Sequence, residues 1–507
     1  MPDSIVSPSR RWIVAASVMF GTLVVVLNST GINIAFPQMM KDLQASPDQI
    51  QWVMTAYLLA MAVAMPTLGR LTDLLGYRRL FLICLFIFII SSLFCALAWN
   101  LASLVFFRVF QGMGGGLIMS LSMAFLFQVY PDHQRGAAMG AFGIGVSFGP
   151  VVGPVMGGFL TDYLNWRAVF YINLPLGLIS MVSAIRFIPE IGERRPSPMD
   201  YRGLVTLSIF LTAFLLALSR GSQEGWGSVT ILSLFLGAAL SLALFLWVET
   251  SVKEPLVDLD LYRNMNFSIG SLIGVFFGLS LLSSIFLVSL FVQDLLGYTP
   301  REAGLLMAPG AVIMGVGMLF SGRLADRWDP RYLLVGGLIL LVASAYWLTF
   351  LDLRASAGLV VAMMVFRNLG LAIAWSPLMT ISLTGLSRER VGMGTGLLNI
   401  VRQGIGGSMG VALAASILVS RHRFHLLDQM KGLRTWNWEG KAADIFHSLQ
   451  NGTNGAKPSD LHSLVSAQGE TILKNTAAIA YHDCFLFITC ISLLAIVPAL
   501  FLKKSQG

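Results

Sequence analysis

Three arginines, Arg108, Arg367 and Arg402, stand inside long apolar runs. A guanidinium is always charged and carries five N–H donors in a fixed fork. Insertion scales put the cost of a charge at the centre of an apolar span at about 2.5 kcal/mol or more, so each must face a protein-lined cavity or find polar partners. Snorkelling to an interface, or bonding to backbone carbonyls, is the competing reading, strongest for Arg367. On a helix Arg108 shares a face with Gln111, Gly112 and Gly115. Arg402 heads a stripe with Gly406 and Gly410, with Asn399 and Gln403 alongside. Groups that could carry a proton are scarce, because no Asp or Glu falls in the middle of an apolar run. The nearest are Asp162, Asp294 and Asp483, the last beside His482, all at run ends where a solvated loop charge is the commoner explanation. A chamber with arginines and no acids is expected to favour neutral or anionic lipophilic molecules over cations. Nothing points to bond-making chemistry. There is no phosphate-binding loop, no persuasive Ser/His/Asp spacing and no metal set, and the four cysteines show no metal spacing; no cofactor is expected.

The elements that must position these residues are membrane helices. Of 507 residues 56% are hydrophobic and 12% charged, with a mean hydropathy of +0.74, which no water-soluble surface accommodates. Fourteen apolar runs are long enough to cross about 30 Å of hydrocarbon: six between Trp12 and Phe187, two between Gly203 and Val248, and six between Ser268 and Leu502. The net charge of +8 is scattered through short connections, the pattern of cytoplasmic anchoring and not of nucleic-acid binding. Placing Arg10 and Arg11 inside, with the first run a retained anchor, puts the arginine-rich connections on the cytoplasmic side and both termini with them. The single long connection, 420–476, then lies outside. It is too polar to span and is either a floppy insert, a cover for an outer vestibule or a surface for an adaptor.

The chain repeats itself. Gly69-Arg-Leu-Thr-Asp73 recurs as Gly322-Arg-Leu-Ala-Asp326, each with a further arginine at the same distance, Arg78 and Arg331. Phe107-Arg108 is echoed by Phe366-Arg367. The echoes align if the seventh and eighth runs are an insertion between two six-helix bundles, giving parts 1–188, 189–265 and 266–507. Asp73 and Asp326 can pair with arginines and cap a helix end, locking the halves together when the cytoplasmic side is closed; plain charge anchoring explains the arginines but not the repeated acid. Gly145, Gly149, Gly153 and Gly157 form a stripe without side chains, with Gly158 beside it and Pro150 and Pro154 four apart. In lipid such a stripe lets another helix approach to backbone contact, and the prolines favour a kinked helix at a moving interface.

These motifs together resemble the major facilitator superfamily: Gly69-x-Leu-x-Asp73-x-x-Gly76-x-Arg78-Arg79 its loop motif, Arg108-Val-Phe-Gln111-Gly112 its fourth-helix motif, and Gly153-Pro154-x-x-Gly157-Gly158 its antiporter motif. Trp166-Arg-x-x-Phe-x-Ile-Asn173-x-Pro175-x-Gly177 and fourteen spans are similar to the EmrB/QacA-type drug:proton antiporters, over essentially the whole chain. The resemblance implies an all-α membrane protein of two six-helix bundles plus two extra helices. It further implies export of lipophilic small molecules across a bacterial cytoplasmic membrane by alternating access, driven by a proton gradient, and in some members a periplasmic adaptor and an outer-membrane channel. Gln293, in Phe291-Val-Gln293-Asp294-x-Leu-Gly297-Tyr298, also resembles the family and could reach the cavity mouth, an ordinary capped loop explaining it nearly as well. One position departs: where relatives have Asp in the first span, Leu27-Asn28-Ser29-Thr30-Gly-Ile-Asn33 has Asn28. An Asp opposite Arg108 could exchange a proton; Asn28 mimics only the neutral acid. An uncoupled importer or uniporter on the same fold therefore stays open, as does, more remotely, an intramembrane enzyme or sensor.

Overall fold

The computed structural model describes residues 8–191, 200–252, 255–434 and 458–503. Every regular element among them is helical. In chain order these are α1 (Pro8–Leu43), α2 (Pro47–Ala64), α3 (Leu68–Leu75), α4 (Tyr77–Ala96), α5 (Leu101–Val129), α6 (Arg135–Tyr163), α7 (Ala168–Tyr171) and α8 (Asn173–Phe187). The added pair is α9 (Tyr201–Glu224) and α10 (Val229–Ser251). Then come α11 (Met265–Leu290), α12 (Pro300–Ala325), α13 (Pro330–Leu348), α14 (Ala357–Leu383), α15 (Arg388–Asn399), α16 (Ser408–Arg434), α17 (Pro458–Leu494) and α18 (Ile496–Ala499).

Thirteen described stretches are long and apolar enough to span a membrane. The 29-residue α6 adds a fourteenth by length, about 43 Å at 1.5 Å per residue. The short elements are parts of longer spans: a 3-10 turn at Met65–Thr67 joins α2 to α3, and a π-helical segment, Ile400–Gly407, joins α15 to α16. Helix starts are set by side chains that satisfy the free N–H groups of the first turn. Ser46 with Gln49, Asn100 with Ser103 and Thr299 with Glu302 each form reciprocal caps. At the opposite end α3 turns into α4 at Gly76, whose φ of 79° a side chain would oppose.

Helices α1 to α8 pack on one another, as do α11 to α17, while α9 and α10 form a hairpin that touches α2 and α16. Trp226, at the turn of that hairpin, donates to Ser416 Oγ at 2.6 Å. Large apolar side chains face outward, among them Leu232, Leu236, Leu240 and Trp247 along α10, as a lipid-facing helix requires. The start of α1 and the end of the chain share one end of the molecule: Arg11 donates to Gln134 beside the start of α6, and Arg331 donates to Leu502 O.

The last spans differ from the expectation. The connection 420–476 is helical at both ends, since α16 runs on to Arg434 and α17 begins at Pro458 rather than near Ala477. No Gly or Pro interrupts residues 420–430, so a helix already nucleated in the membrane continues into polar sequence. Residues 435–457, with Trp436 and Trp438, lie outside the described residues.

Candidate transport site

Arg108 sits on α5, fully buried, facing α1 and α2. Its Nε donates to Val53 O at 3.0 Å, and one terminal nitrogen donates to Asn28 Oδ1 at 2.8 Å and to Gln111 Oε1 at 2.7 Å. The guanidinium lies 4.1 Å over the Tyr57 ring, a favourable seat for a desolvated cation. The order continues through Gln111, which donates to Ser92 Oγ, the same oxygen that accepts from Asn173 Nδ2 at 3.1 Å. The other terminal nitrogen of Arg108, Asn28 Nδ2 and the Tyr57 hydroxyl are buried with no protein partner. Three buried donors of this cluster are thus left over, with no acid among the hydrogen-bond partners of Arg108.

In the second half Arg402 lies in the π-helical segment, where Gly278 of α11 approaches its carbonyl so closely that a Cβ would collide with it. Its guanidinium stacks 3.9 Å from the Trp375 ring and donates to Asn399 Oδ1 at 2.8 Å. Asn399 in turn donates to Ser120 Oγ of α5 at 3.3 Å, crossing from one group of helices to the other. Arg367 donates to Asn368 Oδ1 at 3.1 Å and to Leu281 O at 2.8 Å. It neither snorkels nor joins the Arg108 cluster; the backbone carbonyl of α11 holds it. Gln403 is half-buried beside Arg402.

The two copies of the repeat meet the opposite halves. Gly69 of α3 packs on Met393 of α15, and Gly392 faces the Tyr77 hydroxyl at 3.0 Å and Thr72 Oγ1 at 3.3 Å from where its Cβ would lie. At the second copy Gly322 and Gly136 pack backbone to backbone. Asp326 accepts from Gly136 N at 2.7 Å and Ala137 N at 2.9 Å, capping the positive end of α6. Each repeat therefore seals against the start of the fifth long helix of the other half. Burial raises the Asp326 carboxyl to about 6, and the two N–H bonds and nearby His133 only partly offset it.

Other expected residues lie elsewhere. Gly149, Gly153 and Gly157 pack on Val26, Thr30 and Gly31 of α1, within the first half, and Gly158 approaches only Ile34. The glycines of α6 that meet the other half are Gly136, Gly140 and Gly143, against Gly322 and Met318 of α12. A tape of small residues announces close approach but not which neighbour approaches. The side chains of Asn33, Pro150 and Pro154 lie outside the described residues. Asp73 is half-buried on α3, near the Tyr77 hydroxyl. Arg78 donates to Ile185 O at 2.6 Å. Arg331 pairs with Asp329 at 2.6 Å, and not with Asp326, because Asp329 caps the same helix start two residues away. Gln293, on a π turn, bonds back to Ser289 at 2.9 Å. Asp162 and Asp294 are exposed, and Asp294 rims a cleft of about 330 Å³ between the middle parts of α16 and α17. Asp483 accepts from Arg421 at 2.6 Å and lies 2.7 Å from His425 Nε2. Sequence reasoning missed Tyr57 and Trp375, the rings under two of the arginines, and two buried acids, Asp200 and Glu249. Glu249, lying within the α10 stretch, was the available signal.

Two helical groups that each bury arginine in a polar cluster, joined at one end by a repeated motif, define a multi-pass membrane transporter. The model of the Major Facilitator Superfamily matches residues 18–411. The chain belongs to that superfamily and is similar, over as much as 83% of its length, to its drug-transporting members. The multidrug transporter protein MdtP of Bacillus subtilis is 31% identical over 424 residues, covering 83% of this chain and 78% of that protein. The tetracenomycin C resistance and export protein of Streptomyces glaucescens is 32% identical, over 81% of this chain and 77% of that protein. Among solved structures the human organic anion transporter MFSD10 superposes with a TM-score of 0.63, covering 97% of this chain and 100% of that one at 16% identity. That likeness concerns the fold.

Proposed function

We propose that this chain exports lipophilic small molecules, multidrug fashion, across a bacterial cytoplasmic membrane by alternating access coupled to proton re-entry. The observation that carries the reading is the reciprocal seal: Gly69 on Met393 and Gly322 with Asp326 on Gly136, at the end shared by α1's start and the chain's end. With that end cytoplasmic, the structure is closed inward, the state from which an exporter releases its cargo. Relatives named for multidrug transport and antibiotic resistance support the cargo class. The Arg108–Asn28–Tyr57 cluster supports neutral or anionic guests, and no bound cofactor enters the scheme, the proton gradient supplying the energy. The helical extensions of α16 and α17 provide a surface that a periplasmic adaptor leading to an outer-membrane channel would use. The test is transport by the purified protein in liposomes with and without an imposed pH gradient. Gradient-driven movement of a lipophilic anion above a matched cation supports the reading. Counterflow of equal size with no gradient would favour a uniporter, and equal transport of the two ions would remove the arginine-based selectivity.

A further inference from the structure

Two acids are buried where α9 and α10 come together. Asp200 caps α9, its Oδ1 accepting from Arg202 N at 3.1 Å and Gly203 N at 2.9 Å. Glu249, near the end of α10, accepts through Oε2 from Val257 N at 3.2 Å. The second oxygen of each, Asp200 Oδ2 and Glu249 Oε1, is buried without a hydrogen-bond partner. Both point at the bare Cα of Gly203: a Cβ there would stand 2.5 Å from Asp200 Oδ2 and 2.7 Å from Glu249 Oε1. Asp200 is 7% exposed and Glu249 4%. Two ionised carboxylates brought to one glycine out of water repel. A proton held by the pair removes that repulsion.

We propose that Asp200 and Glu249 are a proton-sharing carboxyl pair, a proton-binding site in the two added helices and outside both six-helix bundles. The proton is taken from water and returned to it, and no other bond changes. This inference goes beyond the exporter reading, because the pair holds its proton whatever the cargo and whatever drives it.

The pair is wired to the seal. The segment Pro255–Asp258 touches three parts of the molecule. Arg70 of α3 donates to Pro255 O at 2.9 Å, Val257 N donates to Glu249 of α10, and Asp258 pairs with Arg390 of α15 at 2.8 Å. Asp258 N also lies 3.0 Å from the sulfur of Met393, the residue that covers Gly69. Among the described residues, the charged group facing the pair is Arg70 from α3, with Asp258 and Arg390 across this strap; Arg202 is exposed. Loss of the shared proton drives Glu249 from Asp200 and, through Val257, loads the contact between the halves.

The test is infrared spectroscopy of the full-length protein in lipid nanodiscs. Near neutral pH the wild type minus Glu249→Gln, and the wild type minus Asp200→Asn, should each show the carbonyl band of a protonated carboxylic acid, shifted in heavy water and lost at alkaline pH. An amide can stand in for the protonated acid, so both variants keep the donor the pair needs. Should either fail to fold, isotopic labelling of glutamate and then aspartate carboxyls in the unaltered chain assigns the same band. Absence of the band from the wild type, or its survival in both variants, overturns the pair. Spin labels at exposed Arg79 and Arg327 read the seal: the wild-type distance should change with pH near neutrality, and the change in Glu249→Gln should be clearly smaller, only the part that Asp326 contributes remaining. An unchanged pH response in that variant overturns the link to closure.

Discussion

Arg108 is held by geometry that only a guanidinium fork provides, since it bonds Val53 O through Nε and Asn28 and Gln111 through one terminal nitrogen. Lysine offers a point charge that cannot reach these acceptors in the same plane. Arg108→Lys should therefore lose transport at least about tenfold, equivalent to roughly 1.4 kcal/mol, with the protein still eluting as a folded species on size exclusion. Recovery of full transport by lysine would show that charge alone matters. Asn28→Asp places an acid at the 2.8 Å contact now made by an amide. Proton-driven efflux in vesicles should rise if that contact is the coupling switch, and an unchanged rate places coupling elsewhere. The arginines, Asn28 and Gln111 were legible in the sequence because charge in an apolar run is expensive and helical spacing gathers neighbours on a face. Tyr57 and Trp375 were not, because an aromatic in a membrane helix is ordinary until a cation is seen above it. Asp200 escaped for a different reason, since it lies at a helix start where acids are common and burial cannot be read, whereas Glu249 inside the α10 stretch was legible and was passed over.

At the scale of helices, the α1–α6 contact depends on having no side chain at Gly31, Gly153 or Gly157. Gly153→Leu forces a large side chain into Thr30 and the backbone of Gly31, and overpacking of this kind costs about 1–3 kcal/mol or more. The melting temperature should fall clearly, whereas Gly237→Leu on α10, with nothing within 4 Å, should leave it unchanged. Equal effects at the two positions would mean that the α1–α6 contact is loose. The glycine spacing was visible from the residues, yet its partner was not, since a bare stripe fits any helix. The π-helical segment at Ile400–Gly407 was likewise unreadable: the stripe drawn from Arg402 through Gly406 and Gly410 assumed α-helical spacing throughout. Gly278 and Gly406 instead admit the carbonyls of Arg402 and Val275 across that interface.

For the molecule as a whole, the repeated motif announced two related halves and a lock between them, but not which helix of the opposite half each copy would meet. That pairing comes from the pseudo-symmetric folding of both copies, which a linear repeat does not specify. The seal has a pH dependence of its own. Burial raises Asp326 from 3.8 to about 6 in the closed state, whereas an opened rim returns the carboxyl to water. Closure then takes up a proton, so this contribution is fully present below about 3.8 and is lost as pH rises through about 6. Single-molecule energy transfer across the rim should show fewer closed molecules as pH rises through that window, and Asp326→Asn should reduce the response. A closed fraction that rises with pH would reverse the assignment.

The most direct test of the account is a crosslink across the seal. With the four native cysteines replaced, Thr72→Cys and Gly392→Cys place two thiols where Thr72 Oγ1 and a Gly392 Cβ lie 3.3 Å apart. The account predicts that oxidation joins them and stops transport, and that a reductant restores it. Undiminished transport with the disulfide formed would contradict it.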